Sequence, residues 1–237
     1  YIPMPLSEVS LDWTIVGEQE TPEGLRKQQV LLISVPTEII RKYQSIFRKA
    51  GLNLIALEVE TVSAARILVG SDPVVTLIID IGARSTNISL IEKGLLKNSV
   101  TIDIAGANLS QAIANGLSIN VRRAEELKKT RGLEVIGAEA NLSTLIFPFI
   151  DVILNEVKRM IETSERNYGR RPERIILSGG EANLAGLRKY FEEQLSMPIL
   201  KAESFNKINY PSDLEPLTRE LGPILAVAIG LGIREMV

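Results

Sequence analysis

A chain of 237 residues, 45% hydrophobic and 24% charged, has material for one large or two smaller cores, and its net charge of −2 excludes the basic footprint that wrapping nucleic acid requires. With no Cys and no His, disulfides, thiol nucleophiles, ordinary zinc sites and imidazole triads are excluded, leaving carboxylates, hydroxyls, amides, Lys and Arg for any chemistry. The longest apolar stretches, Val74–Ile79 and Ile224–Ile229, fall far below the roughly 20 residues of a membrane-spanning helix.

The sequence starts at Tyr1 in the middle of a pattern and reads as a piece of something longer. Val9, Leu11, Trp13 and Ile15 alternate with Ser10, Asp12 and Thr14, the period of a half-buried strand, which places Trp13 in the core. Gly17–Lys27, with Pro22 and Gly24, reads as a polar hairpin loop before a second strand, Val30–Val35. Thr37 N-caps a helix whose Ile39, Ile40, Tyr43, Ile46, Phe47 and Ala50 share one face, a core stripe, until Gly51 ends it. Leu54–Val59 predicts a strand and Thr61–Val69 a short helix, with a boundary at Gly70-Ser71-Asp72-Pro73.

Val74–Ile79 predicts a central strand buried on both faces. Asn87–Glu92 and Leu95–Ile102 follow as strands joined at Glu92-Lys93-Gly94, so residues 80–85 form the tip of a hairpin. Helices are expected over Ala107–Gly116, after an Asn120 cap, and over Pro148–Tyr168, where Ile150, Ile153, Leu154, Val157, Met160 and Ile161 share the inner face; Gly132–Ser143 is a loop. Arg174–Leu177 is a strand, Asn183–Leu195 a helix and Pro198–Lys201 a short strand. Ala202–Leu221, carrying Pro211 and Pro216, reads as a loop; Gly222-Pro223 then opens a last helix, Ile224–Arg234, apolar on nearly all sides and therefore expected to be buried.

Two glycine-bearing loops each follow an apolar strand: Asp80-Ile81-Gly82-Ala83-Arg84-Ser85-Thr86-Asn87 and Ser178-Gly179-Gly180-Glu181-Ala182-Asn183. Without a Cβ in the way, main-chain N–H groups can come close to a ligand, and the pair suggests a nucleotide held between two loops. Taken singly, Asp80-x-Gly82 also reads as a plain hairpin turn, Ser178-Gly179-Gly180 as a tight strand-to-helix turn, and Glu125 with Lys128 as an exposed helical charge pair.

Together, the Asp80-x-Gly82-x-x-Ser85-Thr86 hairpin, the Ala124-Glu125-x-x-Lys128 helix, the Ser178-Gly179-Gly180 loop and the Gly222-Pro223 helix resemble, in order and spacing, the actin, Hsp70 and sugar-kinase superfamily. Within it, Tyr1-Ile2-Pro3-Met4-Pro5-Leu6 with Glu8-Val9, Asp80-Ile81-Gly82-Ala83 with Thr86-Asn87, and Leu177-Ser178-Gly179-Gly180 resemble the type IV pilus assembly PilM family, relatives of the division protein FtsA. The resemblance implies an α/β, actin-like (ribonuclease H-like) ATPase fold, incomplete at the N-terminus, with a small inserted α/β module. Residues 1–54 would be that module of the first lobe and 55–73 a connecting strand and helix. Residues 74–221 would be the second lobe, with a subdomain at about 107–168, and 222–237 a connecting helix of the first lobe.

The same resemblance implies ATP and Mg²⁺ as cofactors. Gly82 and Ala83 would offer N–H groups, and Ser85 and Thr86 hydroxyls, to the β- and γ-phosphates; Asp80 would be the catalytic group, orienting a Mg²⁺-bound or attacking water. Ser178, Gly179 and Gly180 would let adenosine lie on main chain, Glu125 would accept from the ribose, and the stem of Lys128 would pack near the base. The implied protein is cytoplasmic, peripheral to the inner membrane, and binds the cytoplasmic N-terminal tail of a PilN-like partner and other pilus platform proteins, with ATP as a conformational switch and hydrolysis slow at most.

Departures accompany the likeness. No second Asp-x-Gly hairpin precedes Asp80, so half of the phosphate cradle is missing, and this stretch alone is expected to bind ATP weakly or not at all. Arg84 puts a bulky cation at the hairpin tip and Glu181 a negative charge beside the adenosine loop. A sugar or acid kinase is an alternative, though no substrate base stands in a suitable loop. An FtsA-like membrane tether is another, though Gly230–Val237 lacks the basic and aromatic composition of an amphipathic anchor. The Ile224–Arg234 helix, short of packing partners without the rest of the first lobe, would favour a homo-oligomer.

Overall fold

The computed structural model describes residues 4–20, 24, 26–133 and 141–236. They fall into two compact units, Tyr1–Val59 and Glu60–Val237.

The first unit is an antiparallel ribbon of β1 (Val9–Glu20) and β2 (Arg26–Pro36) followed by α1 (Thr37–Lys49). The strands run well into the expected Gly17–Lys27 loop, whose Pro22 lies outside the described residues. Pro36, not Thr37, occupies the N-cap position of α1. Trp13, paired across the ribbon with Leu32, is 63% exposed, and Ile39 and Tyr43 of α1 are also exposed. Alternation marks the two faces of a strand, but the ribbon has only two strands and α1 buries none of its own residues, so most of the ribbon's apolar side chains stay open. The core placement of Trp13 and of the α1 stripe is therefore corrected. Residues 52–59 form no strand, since no neighbouring strand offers Leu54–Val59 a ladder among the described residues.

The second unit opens with α2 (Glu60–Leu68) and the hairpin strands β3 (Thr76–Ile81), β4 (Thr86–Glu92) and β5 (Leu95–Ile102). After them come α3 (Gly106–Leu117), α4 (Val121–Arg131), α5 (Asn141–Tyr168), β6 (Arg174–Ser178), α6 (Leu187–Leu195), β7 (Ile199–Lys201) and α7 (Glu215–Gly232). The sheet order is β5-β4-β3-β6-β7; β4 pairs antiparallel with both β3 and β5, whereas β6 runs parallel to β3 and β7 parallel to β6. β3 is central, and Leu77, Ile78 and Ile79 are fully buried, as a continuous apolar run predicts. Arg174 anchors the start of β6, donating to Asp72 at 2.7 Å and to Thr76 Oγ1 at 2.9 Å.

The main core joins Leu77, Ile79 and Ile88 of the sheet to Leu109 and Ile113 of α3, Phe191 of α6 and the inner stripe of α5. Asn120 caps α4, accepting from the Arg123 N–H at 2.8 Å. α5 begins at Asn141, so Pro148 lies inside it rather than at its start. Buried Leu142 and Ile146 continue the stripe of Ile150 and Ile153, and that packing offsets the roughly 3 kcal/mol cost of an interior proline.

The last helix differs most from expectation. α7 begins within the predicted loop, with Pro216 in its first turn and Pro223 in its interior. It is not buried all round: Gly222, Pro223, Ala226 and Gly230 face inward, while Ile224 and Leu231 are exposed. Small residues let it approach α2 closely, and a Cβ on Gly230 would lie 1.9 Å from the Ser63 carbonyl oxygen. Arg66 completes the contact by donating to the Gly230 carbonyl at 2.9 Å. Gly230→Ala should gain up to about 1 kcal/mol of helix propensity yet lose about 1–3 kcal/mol to overpacking. Thermal denaturation should therefore show a net loss of stability, whereas an exposed Gly232→Ala should show none.

Candidate functional site

Parallel pairing of β3 with β6 sets Asp80 opposite Ser178, so the two glycine loops leave the sheet side by side. Gly179 crosses at φ 82°, a conformation that favours glycine, and a Cβ there would lie 2.3 Å from the Ile81 carbonyl oxygen and 2.5 Å from Asp80 Oδ1. Gly180 has nothing within 4 Å of its Cβ position and stays open. Behind the second loop, the Pro223 carbonyl accepts from the Gly179 N–H at 2.9 Å and from the Ser178 hydroxyl at 3.0 Å. Ser178 and the Gly179 N–H are thus spent on α7, leaving Gly180 as the approachable residue of the three.

The hairpin tip is divided in the same way. Gly82 donates to the Ser85 carbonyl at 3.0 Å and closes the turn; Thr86, fully buried, donates its hydroxyl to the Ile104 carbonyl at 2.6 Å. The start of α3 is tied to the tip, with the Gly106 N–H on the Gly82 carbonyl at 3.0 Å and the Ala107 N–H on the Ala83 carbonyl at 2.9 Å. Among the described residues no acceptor meets the N–H groups of Ala83, Arg84 and Ser85 or the Ser85 hydroxyl, while Ala83 and Arg84 are exposed. Three consecutive main-chain donors at a turn form a concavity for an anion.

Asp80 stands where the loops meet. Its carboxylate is half-buried and takes no hydrogen bond from any described residue. Burial first, and the Glu60 charge second, raise it from the ordinary 3.8 to about 6. It is therefore largely ionised at neutral pH and able to accept from water.

Lys128 of α4 is 1% exposed, with Phe191 among the largest fully buried side chains of the described residues. Its ammonium reaches Glu181 Oε1 at 2.6 Å, Glu125 Oε2 at 2.9 Å and the Gly106 carbonyl at 3.1 Å. Glu125 also accepts from the Ser110 hydroxyl and pairs with Lys129 at 3.3 Å. Burial works against its ionisation, but the Ser110 bond and the lysines prevail and hold it at about 2. Glu181, more deeply buried, is raised by that burial despite Lys128. The Lys128 stem is thus part of the interior rather than a surface laid open to a base. Gly106, Ser110 and Glu181 belong to this cluster; sequence flagged only the charge of Glu181, and neither Gly106 nor Ser110 carries a spacing that would betray it.

The donor set fits a nucleoside triphosphate with Mg²⁺. Unpartnered N–H groups at Ala83–Ser85 suit phosphate oxygens, the open Gly180 backbone suits a flat ring, and Glu125, with its side chain 35% exposed, is an acceptor for hydroxyls. Among the described residues no three His, Cys, Asp or Glu side chains cluster to hold a metal. Mg²⁺ keeps several waters and leans on substrate phosphates and one or two carboxylates, and the half-buried Asp80 carboxylate is of that kind.

Two stability effects follow. Because the Asp80 pKa is raised, the folded protein retains a proton that the unfolded chain releases between 3.8 and about 6, so stability falls as pH rises through that window. Asp80→Asn should therefore stabilise the protein by about 1–3 kcal/mol at pH 7 and by nothing below pH 4, read by urea denaturation at both values. Lys128→Met, which strands buried Glu181, should cost about 3–5 kcal/mol in the same assay.

The family model for the type IV pilus assembly protein PilM matches residues 1–236. The chain is 26% identical over 249 residues to the cell shape-determining protein Mbl of Bacillus subtilis, covering 89% of this chain and 69% of Mbl. It is 22% identical over 255 residues to the cell division protein FtsA of Pseudomonas aeruginosa, covering 95% of this chain and 60% of FtsA. Among solved structures, a PilM–PilN type IV pilus biogenesis complex matches with a TM-score of 0.81 at 25% identity, covering 100% of this chain and 69% of that one. MreB 5 of Spiroplasma citri bound to AMPPNP matches with a TM-score of 0.66 at 20% identity, covering 85% and 65%. The five-stranded mixed sheet is thus that of the actin-like ATPases, and the chain belongs to the type IV pilus assembly protein PilM family.

Proposed function

We propose that this chain is the nucleotide-gripping part of an actin-like pilus assembly factor, with ATP and Mg²⁺ between its two glycine loops. The observation that carries the reading is the abutment of Gly179 on Asp80 and Ile81, which makes the loops one cradle around an unpartnered carboxylate. Ala83, Arg84 and Ser85 bind the phosphates through main-chain N–H groups, with the Ser85 hydroxyl beside them; Asp80 holds a Mg²⁺-bound water; Gly180 carries the adenosine and Glu125 its ribose. Gly82, Thr86, Ser178 and Gly179 shape the loops from behind. With Asp80, its charge opposed by Glu60 nearby, as the carboxylate that faces the phosphates, hydrolysis is slow and the nucleotide serves as a switch.

The partner is the cytoplasmic N-terminal tail of a PilN-like inner-membrane protein, supported by the likeness to the PilM–PilN complex at 25% identity over the whole chain. Among the described residues no helix is long and apolar enough to cross a membrane; the proposed place is beneath the inner membrane, beside such a partner. In this reading residues 1–54 are the inserted module that takes part in tail capture, and 74–221 the lobe that carries the nucleotide.

Calorimetry on the full-length protein tests this. Mg²⁺-ATP should bind, and Asp80→Ala should weaken it at least about tenfold, the scale of one lost charge-assisted contact. Failure to bind at millimolar ATP would leave an actin-like scaffold whose loops are only turns. Since Asp80 takes up a proton near pH 6, affinity should fall about tenfold between pH 7 and pH 5, and that dependence should vanish in Asp80→Asn.

A further inference from the structure

We propose that Lys128 is a positioning residue that couples the phosphate hairpin to the adenosine loop without touching the nucleotide itself. The inference deepens the proposed nucleotide site and rests on that reading for its consequence, but not for its geometry. An ammonium has three donors, and three acceptors surround this one: Glu181, Glu125 and the Gly106 carbonyl. With the side chain 2% exposed, no donor and no surface remain for a ligand.

Each of the three acceptors belongs to a different element. Glu181 follows Gly180 in the second loop, Glu125 lies on α4, and Gly106 is the first residue of α3. Gly106 faces two ways: its carbonyl accepts from Lys128 and from the Ser110 hydroxyl, while its N–H donates to the Gly82 carbonyl, and the next N–H, of Ala107, donates to the Ala83 carbonyl. A Cβ on Gly106 would lie 2.2 Å from Glu181 Oε1, so the second loop also rests directly on this peptide. One residue therefore separates Lys128 from the hairpin tip, and one salt bridge separates it from the residue beside Gly180.

Lys128 also offsets Glu181, whose uncompensated charge beside Gly180 would oppose an incoming polyphosphate. Its loss should loosen the spacing between tip and loop, a change felt by ligands that span both and hardly by adenosine alone.

Because Lys128→Met alone leaves a buried carboxylate and is expected to be strongly destabilised, the test uses the charge-balanced double variant Lys128→Met/Glu181→Gln in the full-length protein; Glu125 keeps Lys129 and Ser110. Amide hydrogen exchange without nucleotide should show Gly106 and Ala107 exchanging at least about tenfold faster, with the β3 and β6 amides unchanged. Unchanged Gly106 and Ala107 would overturn the proposal, and so would acceleration spread evenly through β3 and β6, which marks a merely structural lysine. Calorimetry should then show Mg²⁺-ATP weakened about tenfold with adenosine within about twofold. Equal losses for both would mean direct contact and also overturn it. If the unaltered protein binds no ATP, the nucleotide reading fails, while the exchange result still decides the coupling.

Discussion

Parallel pairing of β3 with β6 is the constraint on which the rest of the second unit depends. An antiparallel neighbour would have carried the second glycine loop to the opposite end of the sheet. The parallel one sets Asp80 beside Ser178 and forces the chain through Gly179 in a space too narrow for any Cβ. β3 can hold this position because its apolar run is buried: Leu77 and Ile79 pack with α3 and α5, while α2 packs on the neighbouring β4 and β5 and α7 on β6. The pair of loops is a consequence of strand order, and strand order is a consequence of the apolar run.

Around that junction the protein satisfies its polar groups unevenly. Gly82, Thr86, Ser178 and Gly179 all spend donors on neighbouring carbonyls, which fixes the shape of the loops. The N–H groups of Ala83, Arg84 and Ser85 and the Asp80 carboxylate are left without partners among the described residues. A carboxylate kept half-buried without a donor is destabilising at neutral pH, and such local costs are characteristic of places where a ligand completes the arrangement. The buried Lys128 is the opposite case: every donor is used, and the side chain works as an internal tie.

Much of this was legible in the residues. The hairpin tip, the Asn120 cap, the inner stripe of α5 and the two glycine loops all follow from local pattern and appear where pattern puts them. What was not legible depended on distant packing. Gly222-Pro223 reads as a helix start, yet α7 runs through it because Gly222 packs against the Ala202 carbonyl and Pro223 offers its own carbonyl to the second loop. Trp13 alternates like a core residue on a two-stranded ribbon that leaves it exposed. Lys128 at i+3 from Glu125 looks like a solvated charge pair, and only the fold brings Glu181, 53 residues further on, to its ammonium. Gly82 reads as a phosphate donor because sequence shows which N–H groups are unhindered, whereas its N–H is engaged by the Ser85 carbonyl.

The central claim is that one nucleotide engages both loops at once. Titrating isotope-labelled full-length protein with Mg²⁺-ATP, while following the amide resonances of Ala83 and Gly180, tests it most directly. The two amides should shift together, with a single midpoint that equals the calorimetric dissociation constant. Perturbation of one loop without the other, or two separate midpoints, would contradict a shared cradle.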